Sequence, residues 1–135
     1  MIDIPPFYTI YGLATAALAG LVSTTTQSFA GVKTFVDGLK VGSAGTTLTK
    51  IDRYSTNITP SSVGANTTAE QTFAVVGLAV GDVVFVSPPA SMPTGLGMGA
   101  PRVSAADTLA LTFINNTAGA LTPISGAYLT VAVRS

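Results

Sequence analysis

The scarcity of charge constrains the fold of this chain more than any other feature of its sequence. Only 9% of the 135 residues are charged, with six Lys and Arg against six Asp and Glu, whereas about 25% is usual for a soluble globular domain. A single-copy protein with so few charges and no net charge is poorly protected from association. We therefore expect other chains to cover much of the surface, first of all copies of this one.

The residue types that are missing exclude several kinds of chemistry. The sequence contains no His and no Cys, which removes the commonest general base, the commonest metal ligand and every thiolate. With no net charge and a pI near 6.0, no basic surface attracts the phosphates of nucleic acid. The glycines of Gly95–Gly99 lack the Lys and the helix of a phosphate-binding loop. We expect no enzymatic activity, no cofactor, no metal and no nucleic-acid partner.

Residues 1–22 form an apolar head whose anchoring side chains we predict to be Ile4, Phe7, Tyr8 and Tyr11. Two consecutive prolines at positions 5 and 6 prevent a helix interior there. The uncharged run that follows, residues 9–22, is shorter than the roughly 20 residues that a membrane-spanning helix needs. We interpret the head as an extended anchor that docks on another protein rather than on a membrane.

Residues 23–49 are predicted to form a β-rich shaft shared between copies of the chain, with a flexible linker as the alternative. The dipeptide Asp37-Gly38 is typical of a tight turn and predicts a hairpin between residues 34–36 and 39–41. A hairpin of this size is marginal alone, so we expect copies of the chain to add strands around a shared axis. The predicted contacts at that axis are Phe29, Phe35, Leu39 and Val41.

Residues 50–135 are predicted to form a small antiparallel β-sandwich, jelly-roll-like, with five to seven short strands. The segment Thr108–Phe113 alternates, which places Leu109, Leu111 and Phe113 inward. Turn signals separate the other candidate strands, and helical periodicity is missing. The fold class is therefore all-β, a sandwich preceded by an extended arm and a short shaft.

Two further strands of the sandwich carry mostly apolar residues. The run Val83–Val86 is continuous, which is typical of a strand buried on both faces. In the last strand, Leu129, Val131 and Val133 lie two residues apart and share one face.

The long loop between residues 88 and 99 is predicted to be a contact loop. Met92, Leu96 and Met98 would be exposed there or packed on a neighbouring chain, as methionine-rich loops often are. The carboxylates Asp82 and Asp107 follow turn-like residues, and we interpret them as turn caps rather than as a hydrolytic acid pair.

Arg53 and Arg102 could form ion pairs with Asp52, Asp82 or Asp107 across subunits, or they could remain solvated. The sequence leaves these alternatives open.

The run Gln27–Gly42 resembles the stretch Q-[ST]-F-x-G-x-K-T-F-x-x-G-L-x-V of bacteriophage fibre and virion surface proteins. Residues 68–73, 81–82, 103–109 and 113–121 are similar to patterns of small β-domains in phage structural proteins. The resemblance implies intertwined or closely packed β-structure in a homotrimer, and a structural role on the surface of the phage particle.

Two functions remain open on this basis. The first is a homotrimeric capsid decoration (cement) or short head-fibre protein, anchored by its N-terminal arm to the major capsid protein or another virion protein. The alternative is a receptor-binding module of a tail fibre that recognises cell-surface carbohydrate. Trp is absent, and Tyr54 and Tyr128 are the only tyrosines of the sandwich, which makes a sugar site harder to build. The sequence does not separate head from tail placement.

Overall fold

The computed structural model describes residues 30–135, and this range contains strands and no helix. Residues 35–135 form one compact unit. Its strands are β1 (Lys50–Ile58), β2 (Thr67–Ala74), β3 (Val83–Ser87), β4 (Leu96–Met98), β5 (Arg102–Ala105), β6 (Thr108–Asn115) and β7 (Gly126–Arg134). They form two antiparallel sheets, so the prediction of a small β-sandwich is confirmed.

The two sheets are each built around one long central strand. Sheet I has the order β1-β7-β3, with Lys50 opposite Arg134 and Val83 opposite Val133. In sheet II, β2 pairs with one side of β6. The short strands β4 and β5 pair in succession with the other side of β6. Strands β1 and β3 are therefore the two edges of sheet I.

The core lies between the sheets and follows from the alternation of each strand. Leu109, Leu111 and Phe113 of β6 are each 0% exposed, as predicted. Strand β7 contributes Tyr128, whose hydroxyl donates to the Ile124 carbonyl oxygen at 2.7 Å. The other buried members of the core cluster are Ile58, Val63, Val75, Leu78, Val84, Leu96 and Ala132.

Strand β3 corrects one expectation from the sequence. Val84 is buried, but Val83 and Phe85 are 59% and 63% exposed, so the prediction of burial on both faces is wrong. The physical reason is the position of β3 at an edge of sheet I, whose outer face carries no further layer in the described part of the chain. Leu129, Val131 and Val133 do share one face, as predicted, and it is this outer face.

Residues 35–49 join the sandwich at one of its ends, which we call the proximal end. There the Thr49 amide donates to the Arg134 carbonyl oxygen at 2.9 Å, so the chain enters β1 beside the end of β7. The loop 75–82 between β2 and β3 lies at the same end, because Asp82 directly precedes β3 and contacts Arg134.

The predicted turn at Asp37-Gly38 is present, with turn geometry at residues 36–37, but the predicted pairing of residues 34–36 with 39–41 is wrong. Leu39 instead exchanges both backbone hydrogen bonds with Leu48, at 2.9 and 2.8 Å. The reason is a second turn at residues 42–45, where the Gly45 amide donates to the Gly42 carbonyl oxygen at 3.4 Å. This turn brings Leu48 back to Leu39.

The opposite end, which we call the distal end, is held by the buried side chain of Asn115. Its amide nitrogen lies 3.1, 2.9 and 2.8 Å from the carbonyl oxygens of Val63, Gly64 and Gly119. Its amide oxygen accepts from the backbone and the hydroxyl of Thr117. One side chain thus ties the end of β6 to the loops that follow β1 and β6.

Candidate interaction surface

The outer face of sheet I carries an apolar patch. The pairing register places two rows of side chains side by side across the three strands. The rows are Ile51, Val133 and Val83, then Arg53, Val131 and Phe85. Ile51 is 62% exposed, and the β7 members of both rows are half-buried. We call these six residues the outer patch.

Unlike the outer face of sheet I, the outer face of sheet II carries polar and charged side chains, which suit contact with water. The exposed positions of β2 include Thr68, Glu70 and Thr72. Arg102 of β5 donates from Nη2 and Nε to the two oxygens of Glu70, at 2.6 and 3.0 Å. This pair spans β6, where Ala110 lies between the two strands and is only 1% exposed. Arg102 therefore pairs within the chain and with Glu70, whereas the sequence offered a pair with Asp52, Asp82 or Asp107 of another subunit, or a solvated charge.

Further exposed apolar side chains surround the proximal end. In the loop 75–82, Val76 and Val80 are 80% and 70% exposed. Of the predicted shaft residues, Phe35, Leu39 and Val41 are 63%, 42% and 75% exposed. They lie on the segment that joins β1 at this end.

The distal end differs. Among the described residues of the sandwich, the large apolar side chains that are strongly exposed all lie on the outer patch or in the loop 75–82. We therefore define the candidate interaction surface as the proximal end together with the outer patch.

Charged side chains fix the shape of the proximal end. Arg134 donates from Nε and Nη2 to the carboxylate of Asp82, at 2.6 and 2.8 Å, and also from Nη2 to the Gly77 carbonyl oxygen. The two hydrogen bonds from Arg134 to the carboxylate lower the pKa of Asp82 to about 2, although burial of the carboxylate acts to raise it. The loop 75–82 is thereby held against the end of β7.

A second ionic group lies on the inner side of β1. The Lys50 ammonium lies 2.6 Å from the carboxylate of Asp52, and the Tyr54 hydroxyl donates to the same carboxylate at 3.1 Å. The hydrogen bond from Lys50 lowers the pKa of Asp52, and the same bond raises the pKa of Lys50.

The two carboxylates interpreted as turn caps do cap turns. Asp82 accepts from the Ala79 amide at 2.9 Å, and Asp107 accepts from the Gly77 amide at 2.7 Å. Asp107 has φ of 56°, a left-handed conformation that Asp adopts more readily than most residues, and its side chain bonds across to the turn at Gly77. No group of three or more acidic side chains that could hold a metal ion lies within residues 30–135.

The predicted contact loop faces the core instead of the surface. Leu96 is 7% exposed and belongs to the core cluster, and Met92 and Met98 pack against that cluster. The exposed placement is wrong because residues 96–98 form β4, which pairs with β6 and turns Leu96 and Met98 toward the core. A contact of these residues with a neighbouring chain stays a prediction.

The tyrosines of the sandwich are not displayed at its surface. Tyr128 is 0% exposed, and burial raises its pKa. Tyr54 is half-buried, with its hydroxyl between Lys50 and Asp52. Neither ring offers the exposed stacking face that sugar binding favours.

Several predicted site residues cannot be placed. The anchor residues Ile4, Phe7, Tyr8 and Tyr11, and the shaft residue Phe29, lie outside the described residues. In the range that is described, no helix is long and apolar enough to cross a membrane.

Comparison of the chain with protein-family models, with curated proteins and with solved structures finds no match. The interaction surface therefore rests on geometry alone. Sequence reasoning missed Val76, Val80, Val83 and Phe85. The available signal was the absence of any charge in β3, which is unusual for the edge strand that it forms.

Proposed function

We propose that this protein is a homotrimeric structural protein of a bacteriophage particle, either a capsid decoration (cement) protein or a short head fibre. Residues 1–22 anchor it to the major capsid protein or another virion protein, and the sandwich stands on the particle surface. The resemblance of residues 27–42 to virion surface proteins supports this assignment. The protein works by burying apolar surface between chains, without chemistry.

The observation that carries the proposal is the gathering of exposed apolar side chains at the proximal end and on the outer patch. A contiguous apolar face such as the outer patch is rare on monomers and marks contact sites. Burying one Val or Phe side chain contributes about 1.5–3 kcal/mol, so covering Val76, Val80 and Phe85 alone provides several kcal/mol toward association.

The edge strand β3 supports the same proposal. Its five residues, Val83–Ser87, contain no charge and no proline. Edge strands of monomers usually carry such residues to prevent pairing with another chain. An edge without them suits a protein whose copies cover one another.

The proposal is tested by the mass and the location of the full-length protein. Sedimentation equilibrium at low micromolar concentration should give the mass of three chains, and immunogold labelling should mark the surface of purified phage particles. A monomer at every concentration, or particles without label, would overturn the proposal. Specific binding on a glycan array would replace it with the receptor-binding alternative.

A further inference from the structure

The charged side chains Asp37, Lys40 and Arg53 of the sandwich unit form no ion pair in the described part of the chain, and Asp37 and Arg53 carry opposite charges. Each of the other acidic side chains of this unit forms an ion pair or accepts a hydrogen bond from a backbone amide. Asp37 has no such contact among residues 30–135, and Arg53 pairs with no carboxylate there. Both side chains are exposed.

Arg53 lies within the outer patch. In its cross-strand row it stands beside Val131 and Phe85, and the next row of the same face begins with Ile51. An arginine among aromatic and aliphatic side chains is typical of the centre of a protein–protein contact, where Arg is enriched and other charges are depleted.

Asp37 lies in an equally apolar setting. Its neighbours Phe35, Val36 and Leu39 are 63%, 90% and 42% exposed. The pairing of Leu39 with Leu48 and the left-handed Gly38, with φ of 89°, fix the turn that presents the carboxylate. The segment Phe35–Leu39 is therefore an ordered apolar knob with one negative charge.

We propose that the Phe35–Leu39 segment of one copy docks on the outer patch of a neighbouring copy, with the Asp37 carboxylate on the Arg53 guanidinium. The inference rests on the proposed homotrimer and identifies the contact between its neighbouring copies. The two surfaces match in character, since both are apolar and the Asp37 carboxylate is opposite in charge to the Arg53 guanidinium, although Lys40 directly follows the segment. A contact between two different surfaces repeats from copy to copy, and with a rotation of about 120° between copies it closes into the ring of a trimer.

Charge reversal in the full-length chain tests the contact. Asp37→Lys and Arg53→Glu should each raise the dissociation constant of the trimer by about tenfold or more, as close interfacial charge pairs do. The double variant should return it to within about threefold of the original value. Sedimentation equilibrium measures all four proteins, and circular dichroism checks that each variant is folded.

The matched control is the reversal of the intrachain pair, Glu70→Arg with Arg102→Glu, which should leave association unchanged. Single reversals without effect on a trimeric protein would overturn the Asp37–Arg53 contact and leave the proposed function standing. Failure of the double variant to recover would overturn it as well. A wild-type protein that is monomeric throughout would instead overturn the proposed function.

Discussion

Arg134, near the end of β7, holds Asp82 at the start of β3 through two hydrogen bonds of 2.6 and 2.8 Å. The Asp82 side chain is 2% exposed and that of Arg134 is 35% exposed. The pair joins positions 52 residues apart and closes the proximal end of the sandwich. The loop that displays Val76 and Val80 is therefore attached to sheet I by a buried carboxylate.

Replacing Asp82 with Asn should destabilise the sandwich by about 2 kcal/mol, because hydrogen bonds to charged groups contribute about 1.5–3 kcal/mol each. The variant also leaves the Arg134 guanidinium without its counter-charge. Urea unfolding measures the loss. The control is Glu70→Gln, which removes the charge from the exposed pair with Arg102 and should cost much less. Equal losses in the two variants would contradict a special role of the Asp82 pair.

The stability of the protein should fall as the pH is lowered toward about 2. Arg134 lowers the pKa of Asp82 to about 2 in the folded state, against the ordinary value of 3.8. A carboxyl group with a lowered folded pKa stabilises the fold above its unfolded pKa, and this contribution is lost as the pH falls through the folded pKa. The lowered pKa of Asp52 acts in the same direction.

Urea unfolding of the wild type and of Asp82→Asn between about pH 6 and about pH 2 measures this contribution. The difference in free energy of unfolding between the wild type and Asp82→Asn should be largest near about pH 6 and should shrink below about pH 4. A difference that stays constant over the whole range would show that Asp82 does not titrate as described.

The sequence predicted the strand alternation well and the covered faces less well. In β6, the apolar positions Leu109, Leu111 and Phe113 coincide with the core, so alternation was sufficient. In β7, Leu129 and its apolar partners share the outer face, and Tyr128 lies inside. A period of two residues shows which side chains share a face, but the packing of the sheets decides which face is covered.

The candidate interaction surface was predictable only in part for the same reason. Phe35, Leu39 and Val41 were recognised because they precede the domain in a segment with no core of its own. Val83 and Phe85 were missed because their exposure depends on β3 being an edge strand, which follows from pairing with β7 over long sequence separation. Leu96 was misplaced because its burial depends on pairing with β6.

Replacing Asn115 with Ala should destabilise the protein by about 3 kcal/mol or more. The change removes the hydrogen bonds of the Asn115 side chain to the carbonyl oxygens of Val63, Gly64 and Gly119 and from the amide and hydroxyl of Thr117, and each hydrogen bond contributes about 0.5–1.5 kcal/mol net. Thermal and urea unfolding measure the effect. Asn116→Ala is the matched control, since Asn116 is exposed and its change should be nearly neutral. A neutral Asn115→Ala would show that the distal end is held by other contacts.

Replacing Gly38 with Ala should break the pairing of Leu39 with Leu48 without unfolding the sandwich. A Cβ at this position would lie 2.5 Å from the Leu48 carbonyl oxygen and 2.8 Å from Thr47 Cγ2, and φ of 89° adds strain of about 1–3 kcal/mol. Hydrogen exchange of the Leu39 and Leu48 amides should become fast, while exchange of the β6 amides stays slow. Gly42→Ala is the control for backbone strain without a steric clash. Gly42 also has positive φ, 76°, but nothing lies within 4 Å of an added Cβ. Slow exchange at Leu39 in Gly38→Ala, or equal acceleration in both variants, would show that close approach to Leu48 does not determine the turn.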